Sequence, residues 1–326
     1  MKKIFFFIVS GALLVVAIAC SLKYGAVSSS WQEVVNSFQQ FDQTNQVHQL
    51  IQHLRIPRML ASLLVGAAFA TSGALMQGVT NNPIADSGLL GINAGAGLGL
   101  ALTFVFVRSP KPPLAIAASF CGAAVALLII YTASNRITFA RSPIRMVLLG
   151  AAISSFFSAI SQSLSLIFNL NQDITFWFVG GTGNITENQV KVALPIVAIG
   201  LILACLNSRQ VTLLSMGDET AISLGKNPQK IRELSLFCVL LLAGTAVSLV
   251  GTISFVGLII PHVVRFFVGH DYRWVIPASA LFGSLFFVTA DILARLVAPP
   301  LETPVGVLVT IIGVPLLLLQ VRRGSV

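Results

Sequence analysis

Asp291 and Arg295 are the residues whose types and spacing first suggest chemistry, because four positions apart on a helix they share a face and can form an ion pair. Such a pair near a helix end is usually structural. Charges inside apolar stretches are costly, however, so Asp291 or Asp86 could instead serve as a proton site. His262 follows Pro261 and has no second ligand spaced to join it, so it reads as a packed residue at a helix break rather than a metal ligand. Cys20, Cys121, Cys205 and Cys238 lie in apolar stretches without metal or redox spacing and read as small packing residues. Gly95, Gly97 and Gly99 superficially match a nucleotide-binding cluster, but no strand precedes them, and close helix packing is the preferred explanation. The chain has no Walker-type phosphate loop, no His-Glu-x-x-His pattern and no serine on a strand-turn-helix elbow. These residues point to no enzyme, no metal site and no cofactor held by the chain itself.

The elements that must carry these residues are membrane helices. Of 326 residues, 56% are hydrophobic and only 10% charged, too little polar surface for a soluble globule. The net charge of +9 comes from basic residues scattered singly between apolar runs, which excludes a nucleic-acid stripe and reads as membrane topology. The expected fold is all-α and polytopic, with about ten transmembrane helices, at about 4–24, 57–78, 89–107, 114–133, 146–168, 192–206, 234–253, 255–268, 274–297 and 304–320. The first is expected to be uncleaved despite its signal-like start, and 25–55 should form a partly helical cap. With all ten crossing and the N-terminus inside, most Lys and Arg, including Lys2, Lys3, Arg136, Arg141 and Arg145, fall on the inner side, and both termini are cytoplasmic. Arg55, Arg58 and Arg295 are then predicted at the outer surface, either as interfacial anchors or as bidentate partners for carboxylates of a docking protein.

Two further patterns bear on function. Ser154, Ser158, Ser161, Gln162 and Ser165 recur at helical spacing and form either an interhelical hydrogen-bonding stripe or the wall of a wet pathway. Leu63, Leu64, Gly66, Ala68, Gly73, Pro83 and Gly91 recur at a constant offset as Leu241, Leu242, Gly244, Ala246, Gly251, Pro261 and Gly269. This echo suggests an inverted internal repeat, with half-repeats at about 57–168 and 234–321. Between them lies SMGDETAISLGKNPQKIR, residues 215–232. Asp218 is expected to cap a short helix through Glu219 and Ala221 to Leu224, and Gly225 to stop it in a left-handed conformation. From its own residues this stretch is a solvated connector.

Four segments together resemble the permease subunits of bacterial ABC importers for iron-siderophores, haem and vitamin B12. They are RIPRMLASLLVGAAFATSGALMQGVTNNPIADSGLLGINAGAGLG (55–99), FVGLIIPHVVRFFVGHDYR (255–273), DILAR (291–295) and ETPVGVLVTIIGVPL (302–316). The resemblance covers nearly the whole chain. It implies a single permease domain in the bacterial cytoplasmic membrane that pairs with a second permease subunit, the same chain or a paralogue. Two cytoplasmic ATPase subunits, which bind ATP-Mg, and an extracytoplasmic substrate-binding protein would complete the importer. It assigns 208–232, with Gly217, Asp218, Glu219, Ala221, Leu224 and Gly225, to ATPase coupling, and Arg55, Arg58 and Arg295 to binding-protein docking. Ser142 to Arg145 would be the inner end of the path, with Pro143 and Ile144 where the vitamin B12 branch has small hydroxyl residues. An iron-siderophore chelate is the preferred cargo, haem or vitamin B12 the alternative, and an ion-coupled secondary transporter the rival mechanism.

Overall fold

The computed structural model describes residues 2–25, 27, 29–107, 110–136, 143–170, 180–183, 185–297 and 303–322. These are nearly all helical, and no strand occurs among them. Apolar stretches of this length cannot leave backbone groups to lipid, and a helix satisfies them within the segment. In order the helices are α1 (Lys2–Lys23), α2 (Trp31–Gln39), α3 (Gln46–Leu50), α4 (Ile56–Thr80), α5 (Ile92–Phe106), α6 (Pro112–Arg136) and α7 (Pro143–Ile167). There follow α8 (Glu187–Leu214), α9 (Asp218–Ser223), α10 (Pro228–Val239), α11 (Thr245–Val250), α12 (Val256–Val268), α13 (Tyr272–Leu296) and α14 (Val305–Arg322).

Among the described residues, seven helical runs are long and apolar enough to cross a membrane, and three shorter apolar helices, Ile92–Phe106, Val256–Val268 and Val305–Leu316, accompany them. The run expected to begin at Pro57 begins at Gln46, because α3 continues through a π-helical turn, Ile51–Arg55, into α4. The run expected to stop at 206 continues to Leu214. Asn207, Ser208 and Thr212 lower the local hydropathy without ending the helix: Ser208 and Thr212 donate to carbonyls of Cys205 and Ser208 at 2.6 and 3.0 Å, and Asn207 donates to Ser235 of α10 at 2.9 Å. With α10 starting at Pro228, only 215–227 of the expected coupling stretch lies between the flanking helices.

The centre of the fold is α4, which packs against α13, α12, α8 and α10. Its small residues permit backbone contact, the main source of helix association where lipid competes for apolar side chains. A Cβ on Gly73 would stand 2.1 Å from the Gly257 carbonyl oxygen, and one on Gly66 would stand 2.3 Å from that of Gly283. Gly95 and Gly122 hold α5 to α6 in the same way, so packing accounts for the glycine cluster there.

The echo at constant offset aligns helical 63–68 of α4 with helical 241–246, but it does not align the elements that follow. It sets Pro83, in the turn after α4, against Pro261, inside α12, and Gly91, before α5, against Gly269, after α12. What does recur is the order of the first three helix lengths: long, short, long in α4 to α6, then the run α10 to α11, short α12 and long α13; the fourth members differ, α7 being long enough to cross and α14 being one of the shorter apolar helices.

Candidate functional site

The chemistry-bearing residues gather at the two ends of α4, about 30 Å apart at 1.5 Å per residue between Arg58 and Val79. At the first end Asp291 of α13 is fully buried. It accepts from Arg58 Nε at 2.9 Å and, as the i, i+4 spacing predicted, from Arg295 at 2.7 Å. The hydroxyl of Thr182 donates to it as well. Arg295 also donates to the Ser21 and Tyr24 carbonyls and to the Ser21 hydroxyl, at 3.0, 3.1 and 2.7 Å. Arg55 donates to the carbonyls of Leu22, Lys23 and Val27 and to the Ser29 hydroxyl, all within 2.7 Å. One carboxylate and three guanidiniums thus tie α1, the turn after it, α4, α13 and the segment at Thr182 together.

The expectation that Arg55, Arg58 and Arg295 face outward is corrected: all three are buried and bonded within the chain. Planar guanidiniums with five donors satisfy several carbonyls at once, which suits them to interior ties. Sequence reasoning found the pair within α13 and singled out Arg58 only as an outward residue, without its bond to Asp291, and it missed Thr182; these two join Asp291 from 233 and 109 residues away.

At the second end α9 packs on α8 and α10 through buried Ala221 and leaves its other side exposed. Gly217 precedes it at φ +113°, and Asp218 is its first residue rather than its cap, a correction to the expected role. Asp218 instead pairs with Arg232 of α10 at 2.6 Å, and Arg232 Nε reaches the Val79 carbonyl in the last turn of α4 at 3.3 Å. Glu219 joins Asp218 in the first turn, where the helix dipole favours negative charge. Gly225 takes the expected left-handed conformation, φ +71°, and Asn227 caps α10 through the amides of Gln229 and Lys230. Ala221 is buried, whereas Met216, Ile222 and Leu224 are 67%, 61% and 57% exposed. The sequence reading singled out Leu224 but missed Met216 and Ile222, whose signal was apolar character inside a polar stretch.

Of the polar stripe on α7, Ser161 donates to the Gly97 carbonyl of α5 at 3.3 Å and Ser165 to the Ser161 carbonyl at 2.9 Å. The first bond joins α7 to α5, and the second stays within α7. Ser154 lies beside Gly91, Ser158 is half-buried, and Gln162 is exposed. Ser142 lies outside the described residues, as do the side chains of Pro143 and Ile144, which open α7. Asp86 is half-buried between the end of α4 and α5 and accepts from the Ser87 amide at 2.8 Å, and desolvation pushes its carboxyl up to about 6. Among the described residues, no His, Cys, Asp and Glu group could hold a metal.

A long buried helix with a charged tie at one end and a projecting short helix at the other can transmit movement between two surfaces. Comparison with known proteins places this architecture. Residues 13–323 match the FecCD transport family. The chain belongs to that family. It is 38% identical over 314 residues to the "Probable siderophore transport system permease protein YfiZ" of Bacillus subtilis, covering 96% of this chain and 94% of the relative. It is also 38% identical to the iron(3+)-hydroxamate import system permease protein FhuB of the same organism, covering 95% and 81%. An inward-facing conformation solved for a metal-chelate type ABC transporter superposes with a TM-score of 0.86 at 26% identity, covering 97% of this chain and 98% of that one. This family member is therefore a multi-pass membrane protein of the same fold.

Proposed function

We propose that this chain is the permease subunit of an ATP-driven ABC importer that takes up an iron-siderophore chelate. The observation that carries the mechanism is α9 with its flanking turns, where Met216, Ile222 and Leu224 are exposed and Asp218 is braced through Arg232 to the end of α4. An ATPase subunit that grips α9 pushes directly on the central helix, and its ATP-Mg site lies outside this chain. Ten crossings, the three shorter apolar helices included, put α9 and both termini in the cytoplasm. The recurring order of helix lengths supports two half-repeats of opposite direction that rock about the site between them. The binding protein docks at the Asp291 end, where Arg55, Arg58 and Arg295 hold the docking surface in shape from beneath. A second permease subunit completes the path, whose few charges let a bulky chelate pass while the binding protein sets specificity.

Proteoliposomes holding the permease, its ATPase and binding protein should accumulate a ferric siderophore only with ATP on the ATPase side. A proton-coupled carrier built on Asp86 is the second reading, favoured by the raised pKa of that half-buried carboxyl. Uptake driven by a proton gradient without ATPase would establish it and discard the importer.

A further inference from the structure

We infer that the corner where α1, α12 and α13 meet, on the α9 face, binds an anionic phospholipid by its headgroup. A cavity of about 570 Å³ opens there, lined by Lys2, Lys3 and Ile4 of α1, Phe267 of α12, His270 of the connecting turn and Trp274 of α13. The ammonium of Lys3 stands 5.2 Å from the Trp274 ring centroid. The rim is held in place by aromatic contacts: Phe6 stacks on Phe267 at 5.1 Å, and Phe7 meets Trp274 at 6.2 Å. The cavity therefore exists before any ligand arrives.

Charge and polarity name the occupant. Asp271 also lines the cavity, but its carboxylate is engaged by Arg273 at 2.7 Å and accepts from the Arg273 amide, so it leaves the charge of Lys2 and Lys3 available. His270 and Asp271 also line a neighbouring cavity of about 760 Å³, where Arg265 adds a further guanidinium to this face. Beside these cations the surface is apolar: Phe266 is 87% exposed next to Phe267, and Ile4 and Phe5 are 62% and 68% exposed. Lys2, Lys3 and Trp274 sit in the first turns of membrane-spanning helices, the level at which basic and tryptophan side chains meet lipid headgroups. Basic pockets between helix ends favour anionic headgroups. A soluble anion would use the cations but leave the adjoining phenylalanines bare, whereas acyl chains cover them. This inference requires only that the helices span the membrane and is independent of the cargo or energy source.

The test uses full-length protein, delipidated in detergent and titrated with dioleoyl phosphatidylglycerol or dioleoyl phosphatidylcholine, with bound lipid counted by native mass spectrometry. Phosphatidylglycerol should bind at least about tenfold more tightly, and K2Q/K3Q should weaken it about thirtyfold while leaving phosphatidylcholine unchanged. K2R/K3R should retain it. Because K2Q/K3Q removes charges that also guide insertion, Trp274→Leu supplies a second reading, with an expected loss of a few fold. Equal binding of the two lipids, or unchanged phosphatidylglycerol binding in K2Q/K3Q, would overturn the proposal. Displacement of the lipid by excess inorganic phosphate would replace it with a soluble-anion site. Efficient disulfide cross-linking of Phe266→Cys between two chains would put a second protein, not lipid, at this corner.

Discussion

The two ends of α4 invert the usual distribution of side chains. Around Asp291, charged groups are folded inside and pair with one another, whereas at α9 apolar groups are left outside. Removing charges from water is costly unless each finds a partner, so the first end holds together as a set. Exposed Met216, Ile222 and Leu224 cost little in the isolated chain and gain by burial against another protein. The difference separates a region that fixes the fold from one that completes an assembly, and substitutions at the two should behave differently.

On stability, the largest effect belongs to Asp291→Ala, which removes the carboxylate shared by two buried guanidiniums. It should cost about 3–5 kcal/mol, read as a large fall in thermal midpoint or loss of folded protein in detergent. A midpoint near wild type would mean that the Asp291 end is no tie at all.

Asp86 tests the comparison from the other side, as a half-buried carboxyl held by Ser87 rather than by a guanidinium. Its pKa in the fold, about 6, lies above the ordinary 3.8, so the fold prefers the neutral form. Stability should therefore fall as pH rises from about 4 to 6, with the penalty fully present above that range. Asp86→Asn should remove this slope and stabilise the protein at pH 7.5 by on the order of 3 kcal/mol. Parallel pH profiles of wild type and variant would refute it.

A double-mutant cycle on Asp218 and Arg232, both partly exposed, should give a coupling of only about 0.2–1 kcal/mol in thermal stability. A larger value would make α9 part of the fold rather than an appendage to it. Smallest of all, Ile222→Asp should leave stability within about 0.5 kcal/mol while abolishing co-purification of the ATPase. Retained co-purification would show that the partner does not grip this edge.

The sequence by itself determined the class of fold and the position of most helices, because apolar length and helix periodicity are local quantities. Asp291 with Arg295, Gly225 as the stop of α9, and Asn227-Pro228 as the start of α10 are likewise written within a few residues. Polar residues whose hydroxyls and amides bond inside the bundle misled it, as in the last turns of α8, because hydropathy does not count hydrogen bonds made within a helix or between neighbours. Only the tertiary structure decided that Arg55, Arg58 and Arg295 turn inward, since their partners come from α1, the turn after it and α13. It also decided that Asp218 braces α10 instead of capping α9, and that Lys3 meets Trp274 from the far end of the sequence. A charge near a helix end looks the same in one dimension whether it faces water or a buried carboxylate. Which one it meets is set by the helices that pack beside it.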